Sequence, residues 1–200
     1  MKLLIIFFTS VTLLLVQSSE LVFQKPVDFT YVTSDDSDFT KIVSDEQFEY
    51  WECVYNPTMF EPIKAKRNVV ATSGNRKYEK IARRISSRTG FFVSCGPAFC
   101  SYYIVAVKKD KSVSLINNKS AFRGFIGNID NVEEAKLGLR NNGFNVTSRP
   151  PYQPSYAQID DYYMFKLYDF GLPTCLGLPI GHKPQMINVK VNAAGDCFKL

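Results

Sequence analysis

Ser101–Val107, Ser-Tyr-Tyr-Ile-Val-Ala-Val, is a run of aromatic, β-branched and small apolar residues without polar alternation. A strand with apolar groups on both faces needs packing on both, so its sheet must be covered on either side. Upstream, Phe91, Phe92 and Val93 form a second apolar run, and Cys95-Gly-Pro-Ala-Phe-Cys100 joins the two. A short connection containing Gly and Pro suits a hairpin loop. Downstream, residues 108–112 are a charged turn, and Val113 and Leu115 begin a third, alternating strand. Asp130 with Glu133 three positions on resembles a capping box. Val132, Ala135 and Leu139 then share one helix face, and Gly143 supplies a left-handed stop. The stretch is expected to form a β-meander followed by a short packing helix.

The same stretch carries a family resemblance. Its order is Cys-Gly-x-x-x-Cys-x-Tyr-Tyr-Ile-Val, a Lys-rich turn, Phe125-x-Gly-x-Ile-Asp130, Glu133-Glu-Ala135 and a closing Asn142-Gly-Phe144. It resembles a group of uncharacterised secreted or envelope proteins of Bacteroidota-type bacteria, over residues 95–144 and a vaguer C-terminal strand. The resemblance implies an α+β fold and a location outside the cytoplasm. It assigns no activity, cofactor or site residue.

Residues 1–18 read as a secretory signal peptide. Lys2 precedes an apolar core, and Val16 and Ser18 are small enough to flank a cleavage site. The core is short of the roughly 20 residues that a membrane span needs. No cysteine follows it to carry a lipid anchor. The mature chain is therefore expected to be secreted or periplasmic, with a loose arm over 19–45 and one domain over 46–200. The acidic cluster at 34–38 lacks the Gly and closing Glu of a calcium loop and reads as solvated. Ser44 and Gln47 make a second capping signal ahead of Phe48, Tyr50, Trp51 and Val54. Those residues also alternate, so helix and strand both remain open there. Residues 68–72 read as a strand, as do 162–167 and 186–191. Residues 149–154 read as an extended connector, and 171–184 as an irregular Gly/Pro loop.

The chain has a formal net charge of +5, and its strongest charge feature is local. Asn75 caps an expected amphipathic helix reaching Gly90, with Tyr78, Ile81, Ala82 and Ile85 at helical spacing. The opposite face holds Arg76, Lys77, Lys80, Arg83, Arg84 and Arg88, with Glu79 the only acid. Lys64, Lys66 and Arg67 precede it. Clustered cations of this kind would meet an anionic surface, a polysaccharide or lipid headgroups. The plainer reading is a solvated face balanced by the acids of residues 35–52. No aromatic rings interleave with the cations, which disfavours single-stranded nucleic acid.

Five cysteines occur, all after the apolar leader. In an oxidising compartment Cys95–Cys100 and Cys175–Cys197 are the expected bridges, leaving Cys53 buried beside Trp51 and Tyr55. The second bridge would close about twenty residues and contribute on the order of 3 kcal/mol. A catalytic alternative makes Cys95 and Cys100 a redox pair, but the spacer is long and a strand follows where a helix would lower the thiol pKa. Another pairs Cys175 with His182 as nucleophile and base. Cys175, His182 and Cys197 lack zinc-ligand spacing, and neither metal nor cofactor is implied. No Gly-x-Ser-x-Gly or phosphate loop is present. Asp160-Asp161 and Glu133-Glu134 are sequence neighbours, whose side chains should point apart. Asn118 and Asn145 head glycosylation sequons, which matter only in a eukaryotic host.

The expected fold is α+β: a mostly antiparallel sheet of about five strands with two or three short helices packed on it. The expected role is a secreted, non-catalytic domain, either a binding module or a structural envelope protein, that meets an anionic partner through its basic helix. The alternative is a secreted cysteine-dependent enzyme.

Overall fold

The computed structural model describes residues 27–32, 38–56, 67–92, 101–146, 148, 151–170 and 183–200. Among them, nine strands form two antiparallel sheets accompanied by three short α-helices, an α+β fold. The smaller sheet has the order β3 (Asn68–Gly74), β2 (Tyr50–Asn56), β4 (Ser101–Val107), β5 (Val113–Ile116). The larger has β1 (Thr30–Tyr31), β6 (Ser155–Ile159), β7 (Tyr162–Asp169), β8 (Gln185–Asn192), β9 (Cys197–Lys199). The single sheet expected from the sequence is thus two. The short edge strands β1 and β9, and the polar β6, carry little apolar signal of their own.

β4 is covered on both faces, as its composition requires. Tyr103, Val105 and Val107 join Tyr50 and Val54 of β2 in a minor cluster, closed by Tyr78 and Ala82. Ile104 and Ala106 join Trp51 and Cys53 in the main core, with the helices α2 (Lys119–Ile126) and α3 (Val132–Asn141) and with Phe165, Leu167, Val189 and Val191 of the larger sheet. The pairing of β2 with β3 slips between Cys53 and Val54. Val70 is the extra residue of this bulge and is exposed. Residues 50–56, where helix and strand both fitted, are a strand because alternate side chains fill the two cores.

Helix ends follow their caps. The Asn131 side chain, one residue later than the Asp130 cap expected, accepts from the Glu134 amide at 3.0 Å and starts α3. α3 ends with the Phe144 amide on the Leu139 carbonyl and that of Gly143 on Arg140, with Gly143 at φ 88°. That pair of bonds is a Schellman motif, and it needs a residue that tolerates the left-handed region. α2 was not foreseen. Its signal is Asn118, whose side chain accepts from the Ala121 amide at 2.9 Å, with Phe122, Phe125 and Ile126 buried at helical spacing.

The helix expected to run from Asn75 to Gly90 is shorter. After the Asn75 cap comes one 3-10 turn, Arg76–Tyr78, and then α1 (Glu79–Ala82). Arg67 ends it by donating to the carbonyls of Ala82 and Ile85 at 3.4 and 2.6 Å. Beyond, Ser87 Oγ donates to the Thr89 carbonyl, and Asn117 Nδ2 donates to both hydroxyls. Such local bonds offer the backbone an alternative to the helix.

Within the stretch expected as an N-terminal arm, Val32, Phe39 and Ile42 are buried, and Thr30 and Tyr31 pair with β6. Two carboxylates fasten this segment to α3. Glu134, fully buried, accepts from the amides of Val43 (2.7 Å) and Asp130 (2.8 Å). Glu133 accepts from the Asp38 amide at 3.1 Å and from Lys136 Nζ at 2.8 Å. The adjacent acids, expected to point apart, serve the same segment. Burial pushes the Glu134 pKa up, and the amides that donate to it pull against that shift. Replacing one oxygen by an amide group sets donor against donor. Glu134→Gln should therefore cost about 1–3 kcal/mol of stability, measured by urea denaturation at neutral pH.

Candidate functional site

Arg76, Lys77, Lys80, Arg83, Arg84 and Arg88 all have exposed side chains on the surface that begins at the Asn75 cap. Tyr78 and Ala82 point the other way, into the minor cluster, and this amphipathic anchoring turns the cations outward. Arg83 pairs with Glu79 one turn earlier. Lys77 Nζ lies 4.8 Å from the centroid of the Tyr78 ring. Among the described residues no carboxylate pairs with Arg76, Lys77, Lys80, Arg84 or Arg88.

Several of the acids expected to balance this face are committed elsewhere, although Glu49 lies beside Asn75, whose amide donates to the Glu49 carbonyl at 2.7 Å. Glu52 is buried and pairs with Arg67 under α1. Glu46 pairs with Lys108 at 2.7 Å. Asp38 accepts from Thr40, which holds its pKa below the usual carboxylate value. The register adds cations that the sequence left apart. Tyr50 lies opposite both Gly74 and Val107. The turn after β4, with Lys109 and Lys111 exposed, therefore stands at the same end of the smaller sheet as Arg76 and Lys77.

Arg67 positions this surface from beneath. Besides holding the carbonyls of Ala82 and Ile85, its guanidinium bonds Glu52 and lies 5.7 Å from the Tyr103 ring centroid. Tyr50 donates to the other Glu52 oxygen at 3.0 Å. Burial, with the Glu52 carboxylate adding to it, raises the Tyr50 pKa and keeps the phenol a donor. Arg67 Nε is buried without a partner among the described residues. The network has no opening that would admit a substrate, since Glu52 has only 1% of its side chain exposed. It is a fastening for the basic face.

Cys95, Cys100, Cys175 and His182, the candidates for thiol chemistry, lie outside the described residues, as do Lys64 and Lys66. Cys53 and Cys197 are free thiols. Cys53 sits in the main core, where burial pushes its pKa well up and makes it inert. Cys197, expected to bridge to Cys175, has its thiol pushed up to about 11, by burial first and the neighbouring Asp196 second. Its sulfur accepts from Asn142 Nδ2 at 3.4 Å. Asp160 and Asp161 form the exposed turn between β6 and β7. Asn118 is exposed and its side chain caps α2, and Asn145 is half-buried. Among the described residues no group of His, Cys, Asp and Glu could hold a metal ion.

Two measurements check these assignments. Arg67→Met leaves Glu52 charged without its partner and should cost about 3–5 kcal/mol in urea denaturation. A cost under about 1 kcal/mol would mean that the pair behaves as a solvated one. In iodoacetamide labelling at about pH 8, Cys197 should react on the order of a hundredfold more slowly than an ordinary thiol. Cys53 should react only after unfolding, and a Cys197 that labels only after reduction would be a bridged one.

Comparison with protein-family models, with curated proteins and with solved structures finds no match to this chain.

Proposed function

We propose that this chain is a secreted, non-catalytic binding module that holds an extended polyanion, of the acidic polysaccharide kind, against the face from Arg76 to Arg88. One observation carries the reading: Arg76, Lys77, Lys80, Arg84 and Arg88 are exposed and close in sequence without a carboxylate partner among the described residues, while Glu52 and Glu46 are paired elsewhere. A surface of unpaired charge raises the local potential by several kT and attracts polyanions by long-range steering. The cations are separate exposed side chains spread along the segment, which suits a repeating charged chain better than a small molecule. The leader-like residues 1–18 and the resemblance to envelope proteins support an extracytoplasmic setting.

The test is retention on a sulfated polysaccharide resin at low ionic strength, with elution by salt. The parent chain should bind and elute at moderate salt, because exposed charges are screened over about one Debye length, ~10 Å at 0.1 M. The variant Arg76→Ser/Lys80→Ser/Arg84→Ser/Arg88→Ser should bind about tenfold more weakly or worse, at a few tenths to 1 kcal/mol for each exposed charge. Its folding is checked by urea denaturation. Equal retention of parent and folded variant would overturn the reading.

A further inference from the structure

A second surface lies on the far side of the main core. The inward side chains of the larger sheet, among them Phe165, Leu167, Val189 and Val191, belong to that core. Its other face is partly open: Ser155 and Ala157 of β6 are buried there and Tyr152 packs on Tyr168 at 5.2 Å, while other side chains stand in solvent. Alternation and register place Tyr31, Met164, Lys166, Met186, Lys190 and Phe198 there. Tyr31 is opposite Ser155, which is opposite Lys166, and Met164 is opposite Lys190, which is opposite Phe198. Tyr31, Met186 and Phe198 are 63%, 60% and 49% exposed. Five strands spaced ~4.8 Å apart, up to eight residues long, make a face of roughly 19 by 25 Å.

The charge on this face is one-sided. None of the outward positions of β6, β7, β8 and β9 is Asp or Glu, and two are Lys. Both lysines are laid on rings: Lys166 Nζ is 3.8 Å from the centroid of Phe29, and Lys190 Nζ 4.0 Å from that of Tyr162. An ammonium over each ring takes the face on which a base or a sugar would stack. The side chains that protrude furthest are instead a methionine and two aromatics at scattered points. A second copy packed face to face would bring four lysines into one dry interface, whose core ordinarily excludes Lys.

We propose that this face of the larger sheet docks on the surface of an anionic bilayer. Tyr31, Met186 and Phe198 enter the boundary between headgroups and acyl chains, where amphipathic and aromatic side chains settle. Lys166 and Lys190 stay over the Phe29 and Tyr162 rings and present their remaining N–H donors to lipid phosphates. The surface is independent of the polyanion face, which stands on the opposite side of the main core.

The experiment is flotation of the full chain with vesicles of phosphatidylcholine containing a minority of phosphatidylglycerol. Met186→Trp supplies the depth probe. The single native tryptophan, Trp51, is only 4% exposed in the core and gives a steady background. The probe's emission should shift to the blue on binding and be quenched by lipids brominated on the acyl chain. Arg84→Trp, on the opposite surface, should show neither change. Tyr31→Ser/Met186→Ser/Phe198→Ser, folded by the criterion of unchanged Trp51 emission, should lose about tenfold or more in vesicle partition for the apolar area withdrawn. Unquenched Met186→Trp on vesicle-bound protein overturns the proposal, as does equal flotation on phosphatidylcholine alone. So does loss of flotation only when the Arg76–Arg88 cations are removed. Self-association abolished by Phe198→Asp, without vesicle binding, would assign the face to a second copy.

Discussion

The central pair of the smaller sheet, β2 and β4, has almost no face left for water. This constraint orders the rest of the molecule. A pleated strand with apolar groups on both sides must find two layers, and the chain supplies them from different parts of its length. Tyr78 and Ala82, just after β3, close one side. On the other, the Phe91 amide and carbonyl bridge to Tyr102 at 2.8 and 3.0 Å, which seats Phe91 on Phe122 of α2 with ring centroids 4.1 Å apart. The approach is close: a Cβ on Gly90 would fall 2.3 Å from the Tyr102 carbonyl oxygen. Phe92 follows at φ 55°, a left-handed conformation that costs about 1 kcal/mol or more in a non-glycine residue. Its ring is held edge-on to Phe122 at 5.0 Å and lies 4.8 Å below the Arg140 guanidinium. Packing of this quality offsets the strain.

Buried charge appears where irregular backbone has to be joined to the layers. Glu134 receives amides from a segment with little regular structure of its own, and Glu52 receives Arg67, which in turn takes the loose carbonyls that end α1. Burying an ion pair is rarely a net gain over a well-packed apolar pair, whereas breaking one is costly. These carboxylates therefore define which segment docks where more than they add to stability. Lys136, 4% exposed along its side chain, answers Glu133 within the same helix and keeps the α3 surface satisfied as it enters the core.

Much of the architecture was legible because it depends on local identity. The unbroken apolar run of β4, the alternation of Ile187, Val189 and Val191 in β8, and the Gly143 stop each follow from residues a few positions apart. What was not legible depends on partners far along the chain. The Ile81, Ala82, Ile85 spacing is helical as far as it goes, yet Arg67 and the Ser87–Thr89–Asn117 hydroxyl and amide bonds end the helix early. α2 is two turns long and carries Lys119, Ser120, Arg123 and Gly124, so its three apolar residues were masked by the strand pattern before it. The cations of the basic face could be read directly. The fate of the acids could not, because only the fold decides that Glu52 goes inward to Arg67 and Glu46 sideways to Lys108.

The two exposed surfaces use positive charge in different physical ways. On the α1 side the cations stand in water, long-stemmed and largely unpaired, so their attraction acts at a distance and fades with salt. On the larger sheet the two lysines are already desolvated in part against Phe29 and Tyr162, and an ammonium over a ring keeps most of its charge. Such a pair attracts weakly from afar and more strongly on contact, once apolar neighbours have excluded water. One surface is thus suited to capture and the other to seating. The main core between them, continuous from Trp51 through α3 to Val189, is what holds the two facing apart.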